Sequence, residues 1–302
     1  MAGLKELRTR INSIASTQKI TSAMKMVAAA RLKRSTDMLN RSKVYSNDLS
    51  ALVRTLIAEL RKKEQEDKVA YIYPKVMQKQ LKDDIYKLVI FSSDKGLCGS
   101  YNANILRESL RRINELLDMG KKVKVLSLGK KAGESLKRRC NNVDIEIIEF
   151  AEKGADYTET LTLMNKLQEE LGNDFDVCEV IYTHFNSAIS REVKNQQLLP
   201  MIIDTNEEDL HINDNLGGAV YDYEGGHLKI LQDVMPLFVA SEMFQKVLNS
   251  QTSEHGARMT SMDNATRNAK DMIAKLTLKY NRLRQGAITT ELIEIISGAE
   301  AL

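Results

Sequence analysis

The run Asp94-Lys95-Gly96-Leu97-Cys98-Gly99 has the residue types of a phosphate-binding loop. Two glycines free the backbone and a lysine brings positive charge. The run also lies between an apolar segment and a helical one, where helix N-terminal amides would meet an anion. It lacks the three-glycine dinucleotide spacing, and GxxxxGK[ST] occurs nowhere in the chain. A tight turn with a surface role is therefore expected. His184, His211, His227 and His255 are scattered without metal-ligand spacing, and no HExxH surrounds His255; all four are read as structural or exposed. Cys98 has small neighbours and Lys95 nearby but no local catalytic constellation. Cys98, Cys140 and Cys178 are odd in number and far apart, which suits a reducing compartment and predicts neither a disulfide framework nor a zinc site. The expectation is a chain with no catalytic residue, no metal and no cofactor.

The elements that would position any site are plainer than the site. At 302 residues there is room for one or two domains. Charged residues make up 28% and hydrophobic residues 43%, with no Trp and only 3 Pro, a helix-rich composition. No apolar run is long enough to cross a bilayer. From Leu228 onward apolar residues recur at steps of three and four: Leu231, Met235, Phe238, Met243, Val247, Met262, Ala265, Ala269, Met272, Leu276 and Leu283. Between Leu228 and Ile296 only Pro236, Gly256 and Gly286 oppose a helix. Unbroken, it would be about 100 Å long at 1.5 Å per residue, so its stripe needs a partner of similar length. The first sixty residues supply one, with Leu4, Leu7, Ile11, Ile14, Met24, Val27, Met38, Tyr45, Leu49, Leu52 and Leu56 in helical phase. The basic N-terminus superficially resembles a transit peptide, but its stripe continues past any cleavage point, so it is read as mature structure.

Between these ends the period changes. Strands are expected at 85–92, 123–128, 143–150, 177–185 and 192–201, alternating with helices at 102–119, 130–139 and 157–171. A short strand is expected at 219–224. The fold class is thus α/β plus a long antiparallel coiled coil, the N- and C-terminal helices paired around a central Rossmann-like α/β domain. The expected boundaries are 1–60 for the first coil helix, 61–82 for a linker, 83–227 for the α/β domain and 228–302 for the second coil helix.

Charge is unevenly spread. Between Met1 and Lys43 ten Lys or Arg stand against Glu6 and Asp37, and from Arg258 to Arg284 seven stand against Asp263 and Asp271. Two like-charged helices side by side repel unless an acidic partner surrounds them. A solvated charged surface is the bland reading, and an acidic protein sleeve or nucleic acid the sharper ones. A nucleic-acid-binding coiled coil would lose affinity steeply with salt, but aromatics are only 5% and the chain is apolar and acidic after Gln285. In Met24-Lys25-Met26-Val27-Ala28-Ala29-Ala30 the apolar residues cannot all share one helix face, so some must face outward. Ile288, Leu292, Ile295 and Ala299 follow one line near the C-terminus while Ile293 and Ile296 point elsewhere. A helix end apolar on most sides belongs inside something.

Three runs in order, LKELRTRINSIASTQKITSAMKMVAAARLKR, SDKGLCGSYN and YNRLRQGAITTELIEIISGAEAL, resemble the gamma subunit of F-type ATP synthases of bacterial type. Ile288, Thr289, Glu291, Glu294, Gly298, Ala299 and Ala301 occupy the spacing of that family's C-terminal signature, and the match runs end to end. The resemblance implies a non-catalytic rotor shaft that couples a membrane ion-driven ring to ATP synthesis or hydrolysis. It implies as partners the alternating catalytic and non-catalytic nucleotide-binding subunits of the head, the epsilon subunit and the membrane rotor ring, with no nucleic acid and no membrane insertion. The place implied is the cytoplasmic face of the bacterial membrane, as part of a peripheral complex. Carried over by motif, Met24, Lys25, Arg258, Arg284, Gln285, Thr289 and Glu291 would contact catalytic subunits, and Cys98, Tyr223 and Glu224 would lie against epsilon or the rotor ring. The cysteine-pair insertion of the redox-regulated chloroplast form has no counterpart here, so thiol switching is not expected.

Overall fold

The computed structural model describes residues 2–68, 70–80, 82–150, 155–203 and 226–300. The strand expected at 219–224 lies outside these residues, as do His211, Tyr223 and Glu224. Ten principal elements follow one another: α1 (Ala2–Asp67), β1 (Ile85–Phe91), α2 (Tyr101–Asp118), β2 (Lys122–Leu128), α3 (Lys130–Lys137), β3 (Asp144–Ile148), α4 (Tyr157–Glu170), β4 (Val177–Phe185), β5 (Arg191–Leu199) and α5 (His227–Glu300). The chain divides into two compact bodies: Met1–Ala30 with Arg258–Leu302, and Arg31–Ala257.

The larger body is built on a five-stranded sheet in the order β3-β2-β1-β4-β5. β3, β2, β1 and β4 are parallel, and β5 returns antiparallel to β4. The strands alternate between two cores, as a sheet covered on both faces requires. Val89, Phe91, Leu126, Leu128, Val180 and Tyr182 face one core, with α4 and the nearby stretches of α1 and α5. Leu88, Ile90, Val123, Val125 and Ile181 face the other, with α2 and α3. On the first side α1 contributes Val53, Leu56, Ile57 and Leu60, and α5 contributes Leu231, Met235, Val239, Met243 and Val247, all nearly without exposure. The two helices also meet through polar side chains: Ser46 Oγ donates to Glu242 at 3.3 Å and Gln245 Nε2 donates to Ser42 Oγ at 2.8 Å.

Among the described residues, the charged side chains buried in this body have partners. Lys87, buried on the central strand, donates to Glu170 at 2.5 Å and lies 3.5 Å from Asp174. Glu179 on β4 accepts from Arg112 of α2 at 2.8 Å and from Asn195 of β5 at 2.6 Å. Removing one member of such a pair leaves a charge that water cannot reach. Gly129 has φ 111° at the start of α3, and a Cβ there would lie 2.2 Å from the Ser92 carbonyl oxygen, so only glycine fits this turn.

α1 runs past the helix end expected at Leu60, continuing to Asp67. The stretch Arg61–Asp67 loses its core-facing residues but consists of good helix formers, and Lys62 and Glu66 sit one turn apart. Polarity ends the stripe without ending the helix. A short 3₁₀ turn at Lys75–Met77 lies within the expected linker.

Candidate functional site

The smaller body is a two-helix pair whose sequence is basic and whose seam is partly polar. Lys25 Nζ donates to Asp263 Oδ1 at 2.6 Å, and the hydroxyls of Thr21 and Thr266 lie 2.8 Å apart. These pairs fix an antiparallel register. The inward side of α1 then reads Leu4, Leu7, Ile11, Ile14, Gln18, Thr21, Lys25 and Ala28, and that of α5 reads Met262, Thr266, Ala269, Ile273, Leu276 and Tyr280. Steps of three and four keep both lines facing each other over the length of the pair. Val27 and Met272, expected in the stripe, are exposed instead, with Ala28 and Ile273 taking the inward places one residue on. In the larger body the same displacement exposes Met38 and Tyr45 and buries Leu39 and Ser46. Ala28 and Ser46 are small enough to let the backbones approach where Val27 and Tyr45 turn outward, while Leu39 and Ile273 fill the seam in place of Met38 and Met272.

Two outward features follow. On α1, Ile20, Ala23, Met26, Val27 and Ala30 are exposed, an apolar strip beside Lys19. On α5, every described side chain from Asn281 onward is exposed. There Ile288, Leu292, Ile293, Ile295 and Ile296 are each 50–71% exposed. The register explains why: with Thr21 against Thr266, the start of α1 at Ala2 falls opposite about Gln285, so about fifteen residues of α5 continue past it, about 22 Å at 1.5 Å per residue. Five large aliphatics on one unpartnered helix end exceed what single scattered surface residues would give.

The expected contact residues separate accordingly. Arg284, Gln285, Thr289 and Glu291 stand together on the exposed end, where Thr289 Oγ1 donates to the Gln285 carbonyl at 2.9 Å. Met24 and Arg258 are half-buried in the paired region. Lys25 is not free: it is tied to Asp263, which also accepts from Arg267 at 2.6 Å. The hydrogen bond from Lys25, with Arg267 beside it, holds the Asp263 carboxyl below its ordinary value. Sequence inspection missed Asp263 because nothing in its neighbours reveals a partner 238 residues away.

In the larger body the loop after β1 is closed by its own side chains. Asp94 accepts from the Lys130 amide at 3.0 Å and Ser92 Oγ from the Ala132 amide at 3.2 Å, so the α3 N-terminus is satisfied internally. Asn102 donates to Cys98 Sγ at 3.2 Å and to Ser93 Oγ at 2.7 Å. Cys98 is 2% exposed, and the loop presents Lys95, Gly96, Gly99 and the large apolar Leu97, the last held at φ 65°. An open pocket of about 440 Å³ is lined by Arg61, Glu64, Tyr71, Ile72, Tyr73, Met77 and Gln78. Glu64 there accepts from the Tyr71 amide at 2.8 Å and the Tyr73 hydroxyl at 3.1 Å. Burial and Glu64 push the Tyr73 phenol up to about 12, out of range for a general base. His184 is half-buried with its pKa lowered by burial, and His227 lies 2.8 Å from Glu59. Among the described residues no His, Cys, Asp and Glu cluster could hold a metal ion, and no helix is long and apolar enough to cross a membrane.

Comparison with known proteins agrees with this geometry. The family model described as ATP synthase matches residues 3–302. An ATP synthase gamma chain of Rhodospirillum rubrum is 42% identical over 306 residues, and one of Paramagnetospirillum magneticum is 40% identical over 304, each covering 100% of both chains. A chain in the solved central stalk and c-ring of the Tetrahymena thermophila mitochondrial ATP synthase is 26% identical with a TM-score of 0.57, covering 82% of this chain and 99% of that one. A rotor chain from the Euglena gracilis mitochondrial enzyme, 17% identical with a TM-score of 0.63 and covering 95% of this chain and 99% of its own, shares the fold. Matched from end to end, the chain belongs to the ATP synthase gamma-chain family, the non-catalytic central-stalk subunits of that enzyme.

Proposed function

We propose that this chain is the rotor shaft whose exposed α5 end turns inside a ring of alternating catalytic and non-catalytic nucleotide-binding subunits. The observation that carries the reading is the apolar end itself: five aliphatics, half or more exposed, on a helix that has outrun its partner. A patch of this kind marks a surface that another protein covers. Two helices have no threefold symmetry, so a threefold ring would meet a different face on each catalytic subunit. Unequal contact biases each subunit toward a different conformation, which links shaft angle to nucleotide affinity. The shaft's basic surplus suits an acidic inner wall and needs no nucleic acid.

In this reading Arg284, Gln285, Thr289 and Glu291 meet catalytic-subunit loops, Met24 and Arg258 lie lower in the same cavity, and residues 83–227 form the foot. Cys98 would act by shaping its loop near epsilon, and Tyr223 and Glu224 would meet the rotor ring. The complex would sit at the cytoplasmic face of the bacterial membrane. The test is co-expression with the head subunits followed by native mass spectrometry and ATP-driven ion pumping. A complex holding one copy of the chain is expected, and Arg284→Ala with Gln285→Ala should weaken pumping or assembly while the α/β body stays folded. Normal assembly and unchanged pumping would remove those two contacts from the proposal.

A further inference from the structure

The Lys25–Asp263–Arg267 group has a consequence for how firmly such a shaft is held. Lys25 and Arg267 share the Asp263 carboxylate at 2.6 Å each. Asp263 and Asp271 are the two acids among the seven cations of Arg258–Arg284. The Asp263 side chain is 21% exposed, Lys25 44% and Arg267 74%. The carboxylate therefore sits inward, with its two cations nearer the solvent. A cation with its counter-ion at contact presents a dipole to anything outside, and a dipole's field falls off faster than that of a bare charge. The Thr21–Thr266 contact one turn away keeps the two helices aligned at this layer.

We propose that Asp263 is a positioning residue that holds Lys25 back from the acidic wall of the surrounding protein and so keeps the shaft's grip weak enough to turn. This rests on the rotor reading above. A shaft that rotates must break each outward ion pair at every step, so an uncompensated cation facing an acidic wall adds to the barrier. Asp263 satisfies Lys25 inside the shaft at every angle. Its replacement by neutral Asn leaves two cations where one had been compensated, and Lys25 then pairs outward.

The experiment uses the assembled complex carrying Asp263→Asn, alone and combined with Lys25→Gln, with ATP hydrolysis and single-molecule rotation followed from low to high salt. Native mass spectrometry first establishes assembly; a wild-type chain that does not join the head refutes the rotor reading itself. In assembled complexes Asp263→Asn should slow rotation about 1.5- to 5-fold at low salt, the range of one exposed ion pair. High salt, where the screening length falls to about 3 Å, should restore the rate. The double variant should turn faster than Asp263→Asn alone. If Asp263 is only a strut between helices, the double variant will be no better than the single one and salt will not rescue either. That result, or an Asp263→Asn rotor as fast as the wild type at low salt, overturns the proposal.

Discussion

Replacing Leu292, Ile293, Ile295 and Ile296 together by Gln separates the two uses an apolar side chain can have. These four are 50–71% exposed, so the isolated chain gains little from them. Gln has a helix propensity close to that of Leu, and the melting temperature of the isolated chain should move by no more than about 1 °C per few tenths of a kcal/mol. Inside a close-fitting wall the account changes. Fully burying one Leu or Ile side chain is worth about 1.5–3 kcal/mol, and roughly half of each remains to be buried here. That gives about 3–6 kcal/mol for the four, an upper figure because ordering costs reduce what area delivers. Assembly with the head should therefore weaken by at least tenfold and up to about 10⁴-fold, each factor of ten being about 1.4 kcal/mol. Circular dichroism melts of the isolated chain and titration of the head by native mass spectrometry measure the two sides. The variant chain should also aggregate less than the wild type. An assembly constant unchanged within twofold, or a large fall in the melting temperature of the chain alone, would refute the argument that this end is built for a foreign surface.

The remaining expectations concern the α/β body. Arg112→Leu leaves the Glu179 carboxyl, 7% exposed, without its guanidinium partner and with Asn195 as the remaining donor among the described residues, and should cost about 3–5 kcal/mol in urea unfolding; a loss under 1 kcal/mol would show that water reaches the pair. Hydrogen bonding from Lys124, with Lys87 nearby, lowers the Asp174 carboxyl in the folded state. A depressed carboxyl stabilises the fold fully above its unfolded value of about 3.9 and loses that contribution as pH falls through the folded one. Asp174→Asn should therefore lower stability at pH 7 and flatten its decline below about pH 4, checked by urea midpoints at pH 7 and 3. Burial pushes the Cys178 thiol up to about 12 and also raises Cys140, which is less enclosed. At pH 8 a thiol reagent should label Cys140 first and reach Cys98 and Cys178 only on unfolding; labelling of Cys178 in the native chain would contradict its enclosure.

The alternation of strands and helices was legible because each element carries its own period. All five strands of the sheet and the helices between them fall within a few residues of where periodicity places them, since apolar alternation and turn residues are local properties. The pairing of the two ends was legible for a similar reason: neither long stripe could be buried alone. The seam was not. Residue type and period favour Val27, Met38, Tyr45 and Met272, whereas the packed helices bury Ala28, Leu39, Ser46 and Ile273 more deeply. Which of two neighbouring residues faces inward depends on where the partner helix lies, and no single-helix pattern contains that partner. Likewise the apolar C-terminal end and the two basic runs were visible in the residues, but not that Lys25 is paired with Asp263 of the other helix. Residue type and period determine which segments become helix or strand and which faces must be covered. Register, the compensation of a charge from the far end of the chain, and the point where one helix outlasts the other depend on pairwise distances that only the folded chain has.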